Sequence, residues 1–186
     1  MFWKKSSLKS SPRDGQLIIV IGATRSGKTT YAKKLVGNAR NVVVCTISPV
    51  WEYREITNIN DWKAYKGGRV RITTFLFDKE FSPSMLLWKR GYILVLDDAP
   101  AIISSRSNLN WDKVLLTFRN HSITVIYISQ TFRKIPRHVL ANADYFVVGY
   151  LPNIYDEERY LSDIYGTAIK LPTNEPFKFK IFKVRK

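Results

Sequence analysis

Short apolar runs alternate along this chain with segments that carry helix signals. The first run, residues 16–21, is followed by a glycine-rich loop and by a predicted helix over 30–36 that ends at Gly37-Asn38. A second run over 41–47 is rich in β-branched residues, as is typical of a strand buried on both faces. The two runs and the helix between them predict a βαβ unit.

The same alternation continues to the end of the chain. Residues 82–90 carry a serine cap, Pro83 in the first turn and basic residues in the last turn, which together predict a helix. The remaining pattern predicts strands over 69–75, 92–98, 123–128 and 144–150, helices over 61–66, 108–120, 136–140 and 153–165, and a basic edge strand over 177–186. This order predicts an α/β fold of three layers, in which a mostly parallel central sheet lies between two layers of helices.

A single domain is expected for 186 residues, of which 45% are hydrophobic. Residues 16–150 form its predicted core, and the helix and edge strand in 151–186 are expected to pack on the same domain. Residues 1–15 are basic but lack the apolar segment of a secretion signal, so we interpret them as a flexible basic arm. No stretch approaches the roughly 18 to 20 consecutive apolar residues of a membrane-spanning helix.

The charge of the chain changes this picture, because 30 Lys and Arg against 15 Asp and Glu give a formal charge of +15. Such a surplus favours an extended polyanionic partner, nucleic acid or an acidic membrane surface, over a basic surface with no partner. The single cysteine, Cys45, lies within an apolar run and is interpreted as a small core residue. We therefore expect no disulfide and no thiolate-metal framework.

Residues 22–29, GATRSGKT, fit the phosphate-binding pattern G-x-x-x-x-G-K-[ST] and lie between a predicted strand and a predicted helix, as that pattern requires. Gly22 and Gly27 let the chain wrap closely around a phosphate with its backbone N–H groups turned inward. Lys28 adds a positive charge between the β- and γ-phosphates, and the Thr29 hydroxyl is a ligand for Mg²⁺. With ATP and Mg²⁺ as cofactors, the predicted nucleotide-binding residues are Gly22, Ala23, Thr24, Arg25, Ser26, Gly27, Lys28, Thr29 and Thr30.

Ligands of parallel sheets bind at the carboxyl ends of the strands, so four segments are expected to meet at one edge. They are the glycine-rich loop, Asp97-Asp98, Ser129-Gln130 and residues 46–48. Asp97 is predicted to hold Mg²⁺ through its water shell. Asp98 is predicted to be the general base for the attacking water, with a helix cap or an ion pair with an arginine as the alternative.

Two further side chains have predicted roles in phosphoryl transfer. Gln130 is predicted to hydrogen-bond the γ-phosphate or the attacking water, and the alternative is a buried amide that satisfies loop backbone. Arg119, at the end of a predicted helix, is the candidate arginine finger for an adjacent subunit, although a cation at a helix C-terminus is favourable without that role. Arg106, Arg133 and Arg137 are competing candidates, and Arg25 either contacts phosphate or faces a neighbour.

The connection over 50–60 carries two large aromatic residues, Trp51 and Tyr53. Such rings stack on a nucleobase, contact a neighbouring subunit or fill the local core. We favour the local core, because aromatic residues under a connecting segment usually have that role.

These motifs resemble those of the additional-strand P-loop ATPases of the FtsK/HerA superfamily and, within it, the genome-packaging ATPases of tailless, membrane-containing icosahedral viruses. The resemblance rests on residues 22–29 (Walker A), on residues 92–98 (Walker B) and on residues 118–140. In the last segment an arginine and an apolar strand are followed by Ser129-Gln130 and then by Ile135-Pro136. Many members carry Asp-Glu at the end of the Walker B strand. This chain has Asp97-Asp98 there, so the side chain at the second position is shorter.

The resemblance implies a three-layer, RecA-like P-loop NTPase core that binds Mg²⁺ and ATP between the subunits of a homo-oligomeric ring, a hexamer or a pentamer. It also implies Gln130 as a sensor of the γ-phosphate, Arg119 as the arginine finger and double-stranded DNA as the translocated substrate.

Together the residues and the resemblance favour an ATP-hydrolysing DNA translocase that packages a viral double-stranded DNA genome into a preformed capsid. We expect it in the host cytoplasm or the virion, with capsid vertex or viral membrane proteins as further partners. One alternative is a cellular or plasmid DNA-translocating ATPase or helicase of the same superfamily. The others are a P-loop kinase, with residues 99–108 as its lid, and a non-catalytic, ATP-gated DNA-binding protein.

Overall fold

The computed structural model describes residues 4–5, 15–73, 76, 81–103, 108–171, 175 and 177–184. Nine strands within these residues form one sheet. They are β1 (Lys4–Lys5), β2 (Leu17–Ile21), β3 (Val42–Thr46), β4 (Arg54–Ile56), β5 (Arg69–Thr73), β6 (Ile93–Asp97), β7 (Thr124–Ser129), β8 (Tyr145–Val148) and β9 (Lys180–Lys183). Their order across the sheet is β1-β9-β8-β2-β7-β6-β3-β5-β4.

Six α-helices of the described part surround the sheet, together with three 3₁₀ helices at Pro83–Trp88, Phe118–His121 and Phe132–Lys134. The α-helices are α1 (Lys28–Val36), α2 (Ile59–Ala64), α3 (Ala99–Ile103), α4 (Asn108–Thr117), α5 (Arg137–Asn142) and α6 (Ile154–Tyr165).

The predicted helix over 82–90 is a 3₁₀ helix, and side chains explain the difference. The Trp62 indole N–H donates to the Met85 carbonyl at 2.9 Å, and the Tyr92 hydroxyl donates to the Leu86 carbonyl at the same distance. These carbonyls therefore have partners that do not require an α-helix. The predicted helix over 108–120 likewise ends in a 3₁₀ turn, which the left-handed Ser122 (φ 53°) closes.

Across the sheet, each strand in the series β8-β2-β7-β6-β3-β5-β4 pairs in parallel with its neighbours in that series. β7 lies between β2, which precedes the glycine-rich loop, and β6, which ends in Asp97. This inserted strand defines the additional-strand arrangement, so the predicted fold class is confirmed. The predicted βαβ unit of β2, α1 and β3 is present as a crossover between parallel strands, with β7 and β6 between them in the sheet.

Alternate residues of β2 point to opposite faces of the sheet, as the period of a strand requires. Ile18 and Val20 pack with the buried residues of α1, whereas Leu17, Ile19 and Ile21 pack with residues of α2 to α6. Every residue of β2, β3, β6 and β7 is buried. The three layers are therefore present, and Cys45 on β3 is a core residue as predicted.

The basic tail is not the edge of the sheet, which corrects the prediction for residues 177–186. β9 runs antiparallel to β8 and is covered on its other side by β1, with Lys4 opposite Lys183. Two residues of the predicted flexible arm are thus paired in the sheet, and the rest of residues 1–14 lies outside the described residues. So do the ends of two predicted strands, residues 74–75 and 185–186.

No helix in the described ranges has both the length and the apolar character needed to cross a membrane.

Asp144 joins three elements at the amino-terminal edge of the sheet. Its Oδ2 accepts a hydrogen bond from the buried backbone N–H of Leu17 at 2.7 Å and another from Nη2 of Arg119 at 2.6 Å. Its own backbone N–H donates to the Leu17 carbonyl and its carbonyl accepts from Val184. One carboxylate therefore ties β2 and β8 to the 3₁₀ turn before β7.

We expect Asp144→Ala to lower the free energy of unfolding by roughly 1–3 kcal/mol, because it leaves the Leu17 N–H buried without an acceptor. Urea unfolding measures this loss. The matched control is Asp156→Ala, which removes a 3.4 Å pair with Arg133 between side chains that are 51% and 59% exposed. For Asp156→Ala we expect the free energy of unfolding to change by no more than about 0.5 kcal/mol. Equal losses in the two variants would contradict the assigned role of Asp144.

Candidate active site

The glycine-rich loop leaves β2 and enters α1 between two neighbouring strand ends. The backbone N–H of Gly22 donates to the Ser129 carbonyl at 3.3 Å, and that of Ala23 donates to the Tyr150 carbonyl at 2.7 Å. A Cβ at Gly22 would lie 2.7 Å from Ser26 Oγ and 3.3 Å from the Tyr150 carbonyl oxygen, so a side chain there would displace Ser26. Gly27 has a left-handed backbone (φ 89°) as it caps α1, which favours glycine. Both positions thus favour glycine.

Two polar groups of the loop fit a phosphate ligand. Ser26 Oγ is buried and has no hydrogen-bond partner in the described part of the chain. Lys28 Nζ donates to the Ala23 carbonyl at 2.7 Å. Burial lowers the pKa of Lys28, against the opposing effect of the Asp98 and Asp97 carboxylates. An unpaired buried hydroxyl and a half-buried ammonium are groups that phosphate oxygens satisfy.

Asp97 ends β6 beside the start of α1 and is only 8% exposed. Thr29 Oγ1 donates to its Oδ1 at 3.1 Å, so the two predicted metal ligands are adjacent. Burial raises the pKa of the Asp97 carboxyl, an effect opposed first by hydrogen bonds from Trp51 and Thr29. A hydroxyl beside one carboxylate suits Mg²⁺, which keeps several waters and binds phosphate oxygens.

Within the described ranges no three His, Cys, Asp or Glu side chains group together as a metal cage. The metal-binding role of Thr29 and Asp97 stays a prediction.

Asp98 follows β6 in a left-handed conformation, φ 64°. Its carbonyl accepts the backbone N–H groups of Ala101 and Ile102, so its backbone begins α3. Its side chain lines a cavity of about 390 Å³ together with Gln130 and Lys134. The backbone of Asp98 therefore caps α3, while its carboxylate lines the cavity of the site. Its role as a general base stays a prediction.

Gln130 lies between Asp98 and the glycine-rich loop. It lines the cavity of Asp98 and also a second cavity of about 340 Å³, which Ala23 and Thr24 line on the loop side. It is half-buried, so its amide is accessible to both cavities. This position fits a side chain that reports whether a γ-phosphate is bound.

The strand register brings the four predicted segments to one edge. Ile21 lies opposite Ser129, and Thr46 lies opposite Asp97. Thr46 Oγ1 donates to the Ser48 carbonyl at 3.0 Å, which closes the turn after β3. The predicted meeting of these segments is therefore confirmed.

Trp51 has a role that sequence reasoning missed. It is fully buried, as the local-core interpretation predicts, yet its indole N–H donates to Asp97 Oδ2 at 2.7 Å. Lys33 of α1 donates to the Val50 carbonyl at 2.6 Å and lies 5.4 Å above the Trp51 ring. The loop after β3 thus connects α1 to the carboxylate of the site. Its only signal in the sequence is a tryptophan soon after a strand that ends at the site edge.

Lys134 was also missed, although it shares the cavity of Asp98 and Gln130. It is exposed, in the 3₁₀ turn that follows Gln130. The sequence signal for Lys134 was only that a basic residue stands four positions after Gln130, the predicted sensor.

Arg119 does not join this group. It is bound to Asp144 and to the Asn142 carbonyl at the amino-terminal edge of the sheet, a strand length of about 17 Å from the loop. Arg133 follows Gln130 at the carboxyl edge and pairs with Asp156. Arg137 is exposed at the start of α5, and Arg106 lies outside the described residues. Arg119 is therefore too far from the loop to act on a nucleotide bound to its own chain. Its role as an arginine finger in a neighbouring subunit stays a prediction.

The segment considered as a kinase lid begins with a packed helix. Ala99, Ile102 and Ile103 of α3 are buried against the sheet. Residues 104–107 lie outside the described residues, and α4 begins at Asn108.

Comparisons with known proteins find no matching protein-family model and no matching curated protein. The fold is similar to solved structures of the genome-packaging NTPase B204 of Sulfolobus turreted icosahedral virus 2. The AMP complex matches with a TM-score of 0.69 and 16% identity, over 92% of this chain and 97% of that one. The ATPγS complex matches with a TM-score of 0.71 and 18% identity, over 91% and 92%.

B204 of Sulfolobus turreted icosahedral virus, described as a DNA-packaging ATPase, matches with a TM-score of 0.67 and 17% identity, over 93% of this chain and 94% of that one. Nearly the whole of each chain is covered, whereas the identity is low, so the likeness is one of fold. This chain has the P-loop NTPase fold of viral genome-packaging NTPases, as its motifs predicted.

Proposed function

We propose that this protein is a Mg²⁺-dependent ATPase that moves double-stranded DNA and packages a viral genome into a capsid as a homo-oligomeric ring. One observation carries the ATPase part: Lys28, the Thr29–Asp97 pair and Gln130 meet around the glycine-rich loop. The nucleotide complexes of B204, which has the same fold, support it.

In this proposal the backbone N–H groups of the loop, Ser26 Oγ and Lys28 Nζ bind the β- and γ-phosphates. Lys28 then exchanges the Ala23 carbonyl for phosphate oxygens. Thr29 and Asp97 would hold Mg²⁺, which would supply positive charge to neutralise that of the phosphates. Asp98 accepts the proton of the attacking water, and Gln130 orients that water.

The DNA part of the proposal rests on charge and on fold. A net charge of +15 makes a polyanion the natural partner, and binding then weakens steeply with salt because counterions are released. The likeness to packaging NTPases extends over more than nine tenths of this chain. Double-stranded DNA is the polyanion that satisfies both observations.

We expect the purified protein to hydrolyse ATP with Mg²⁺ and to do so faster with double-stranded DNA at low salt. Lys28→Ala should abolish turnover, and Asp98→Asn should lower kcat by roughly 10²- to 10⁴-fold, the usual contribution of a general base. Lys63→Ala and Asp163→Asn, at exposed positions on α2 and α6, are the matched controls and should retain full activity.

Steady-state phosphate release, with and without DNA, measures these rates. Equal rates with and without DNA, from a protein that stays monomeric with nucleotide, would rule out the motor. Phosphate transfer only in the presence of an acceptor would identify a kinase instead. DNA binding that keeps its ATP dependence in Asp98→Asn would identify a non-catalytic, ATP-gated protein.

Trp51→Phe should lower the apparent affinity for Mg²⁺ and shift the acid limb of kcat/KM to higher pH. The indole N–H stabilises the ionised Asp97 carboxylate, so its loss raises a pKa that burial already raises, and protons then compete with Mg²⁺ at higher pH. A hydrogen bond to a charged group predicts a shift of up to about one pH unit and a loss of roughly tenfold in apparent Mg²⁺ affinity.

The matched control for this variant is Trp62→Phe. It removes an equally buried indole, whose N–H donates to the Met85 carbonyl on the other face of the sheet. If both variants lose stability alike and neither changes the pH profile, Trp51 has a packing role only.

Mixed subunits test whether Arg119 acts in a neighbour. Arg119→Ala and Lys28→Ala are each expected to be inactive alone. An equal mixture should regain about a quarter of the wild-type interfaces, because an Arg119→Ala loop can then face a Lys28→Ala subunit that retains its arginine. Arg133→Ala and Arg137→Ala are tested in the same way, and recovery with one of them but not with Arg119→Ala would reassign the finger.

A further inference from the structure

The C-terminal segment returns to the glycine-rich loop. β9 runs antiparallel to β8 with Lys180 opposite Val148, so the residues before β9 lie beside the carboxyl edge of the sheet. The Phe179 ring covers Gly149, where an added Cβ would lie 2.6 Å from the ring. Gly149 in turn donates its backbone N–H to the carbonyl of Ile21, the residue before the loop. Phe179 is therefore fixed next to the start of the loop.

Two more aromatic rings meet this position. The Tyr31 ring on the first turns of α1 lies 4.6 Å from that of Phe179, centroid to centroid, at an interplanar angle of 33°. Phe177 Cδ1 lies 3.5 Å from the point where a Cβ of Gly27 would be. The three rings thus surround the side of the loop where α1 begins.

The rings line a cavity of about 210 Å³, together with Thr30 and Lys34 of α1. Cavities that hold a whole drug-sized ligand measure about 300–1,000 Å³. This cavity therefore suits one part of a larger ligand, and its aromatic walls suit a flat heterocycle.

Phe177 is an exposed aromatic residue in a strained conformation. It is 73% exposed and has a left-handed φ of 59°. A turn holds it there, since the Lys178 backbone N–H donates to the Glu175 carbonyl at 3.3 Å and the side chains of the two residues form an ion pair. Residues with strained backbone of this kind cluster at ligand clamps.

We propose that Tyr31, Phe177 and Phe179 form a slot that binds the purine base of the nucleotide by stacking. This inference rests on the proposed function, because the loop beside the slot holds the phosphates of the same nucleotide. The three rings contact the flat faces of a base, which adenine and guanine share, and not its hydrogen-bonding edge. The slot selects by stacking area, so ATP and GTP bind alike and both bind more tightly than CTP.

Equilibrium binding of ATP, GTP, CTP and inorganic tripolyphosphate tests the slot. Each stacked base contributes about 1–3 kcal/mol, so Phe177→Ala should weaken ATP and GTP binding roughly tenfold or more and leave tripolyphosphate binding unchanged. Phe177→Trp should retain or strengthen ATP binding. Tyr155→Ala is the matched control, because it removes a ring on α6 that is 79% exposed. It should change neither nucleotide binding nor tripolyphosphate binding.

Three results would overturn the slot. They are an unchanged ATP affinity in Phe177→Ala, an equal loss for ATP and tripolyphosphate, and a change in oligomeric state without a change in nucleotide affinity. The last result would mean that a neighbouring subunit covers Phe177. Failure of the proposed function is a separate outcome, because the wild-type protein would then bind neither ATP nor tripolyphosphate.

Discussion

The buried carboxylate of Asp97 is the group on which the rest of the site depends. A nearly dry position at the end of β6 disfavours its charge, whereas the proposed binding of magnesium requires that charge. Two donors resolve the conflict, the Thr29 hydroxyl from the loop and the Trp51 indole from the segment after β3. Three segments of the chain therefore meet at one carboxylate, and a shift in any of them changes its ability to bind a cation.

The parallel sheet explains why these segments meet. The register sets the ends of β2, β7, β6 and β3 side by side, so the residue after each strand faces the same edge. Gln130 consequently lies between the loop and Asp98, where it lines one cavity with each of them. In the proposed ring, whatever moves β7 relative to β2 also moves the sensor relative to the phosphates. The proposed function thus includes a direct physical path from nucleotide state to the shape of the subunit.

Local patterns predicted the parts of the structure that local physics determines. The loop, α1 and the strand that ends in Asp97-Asp98 follow from glycine spacing and apolar runs, and the register confirmed that their ends meet. The additional-strand class came from the resemblance to a family, since periodicity alone does not place β7 between β2 and β6. The bond from Trp51 to Asp97 joins residues 46 positions apart, and no spacing rule describes it. β1 was missed because a strand of two residues has no period, and the turn at Pro83–Trp88 depends on side chains from distant segments.

The central claim is that hydrolysis at this edge moves double-stranded DNA, and displacement of the third strand from a DNA triplex tests it most directly. A labelled triplex-forming strand on linear duplex DNA is released by a translocating protein but not by a static one. The account predicts release with ATP and Mg²⁺, and none with a non-hydrolysable analogue or with Lys28→Ala. ATP hydrolysis that is stimulated by DNA but leaves the triplex intact would contradict it.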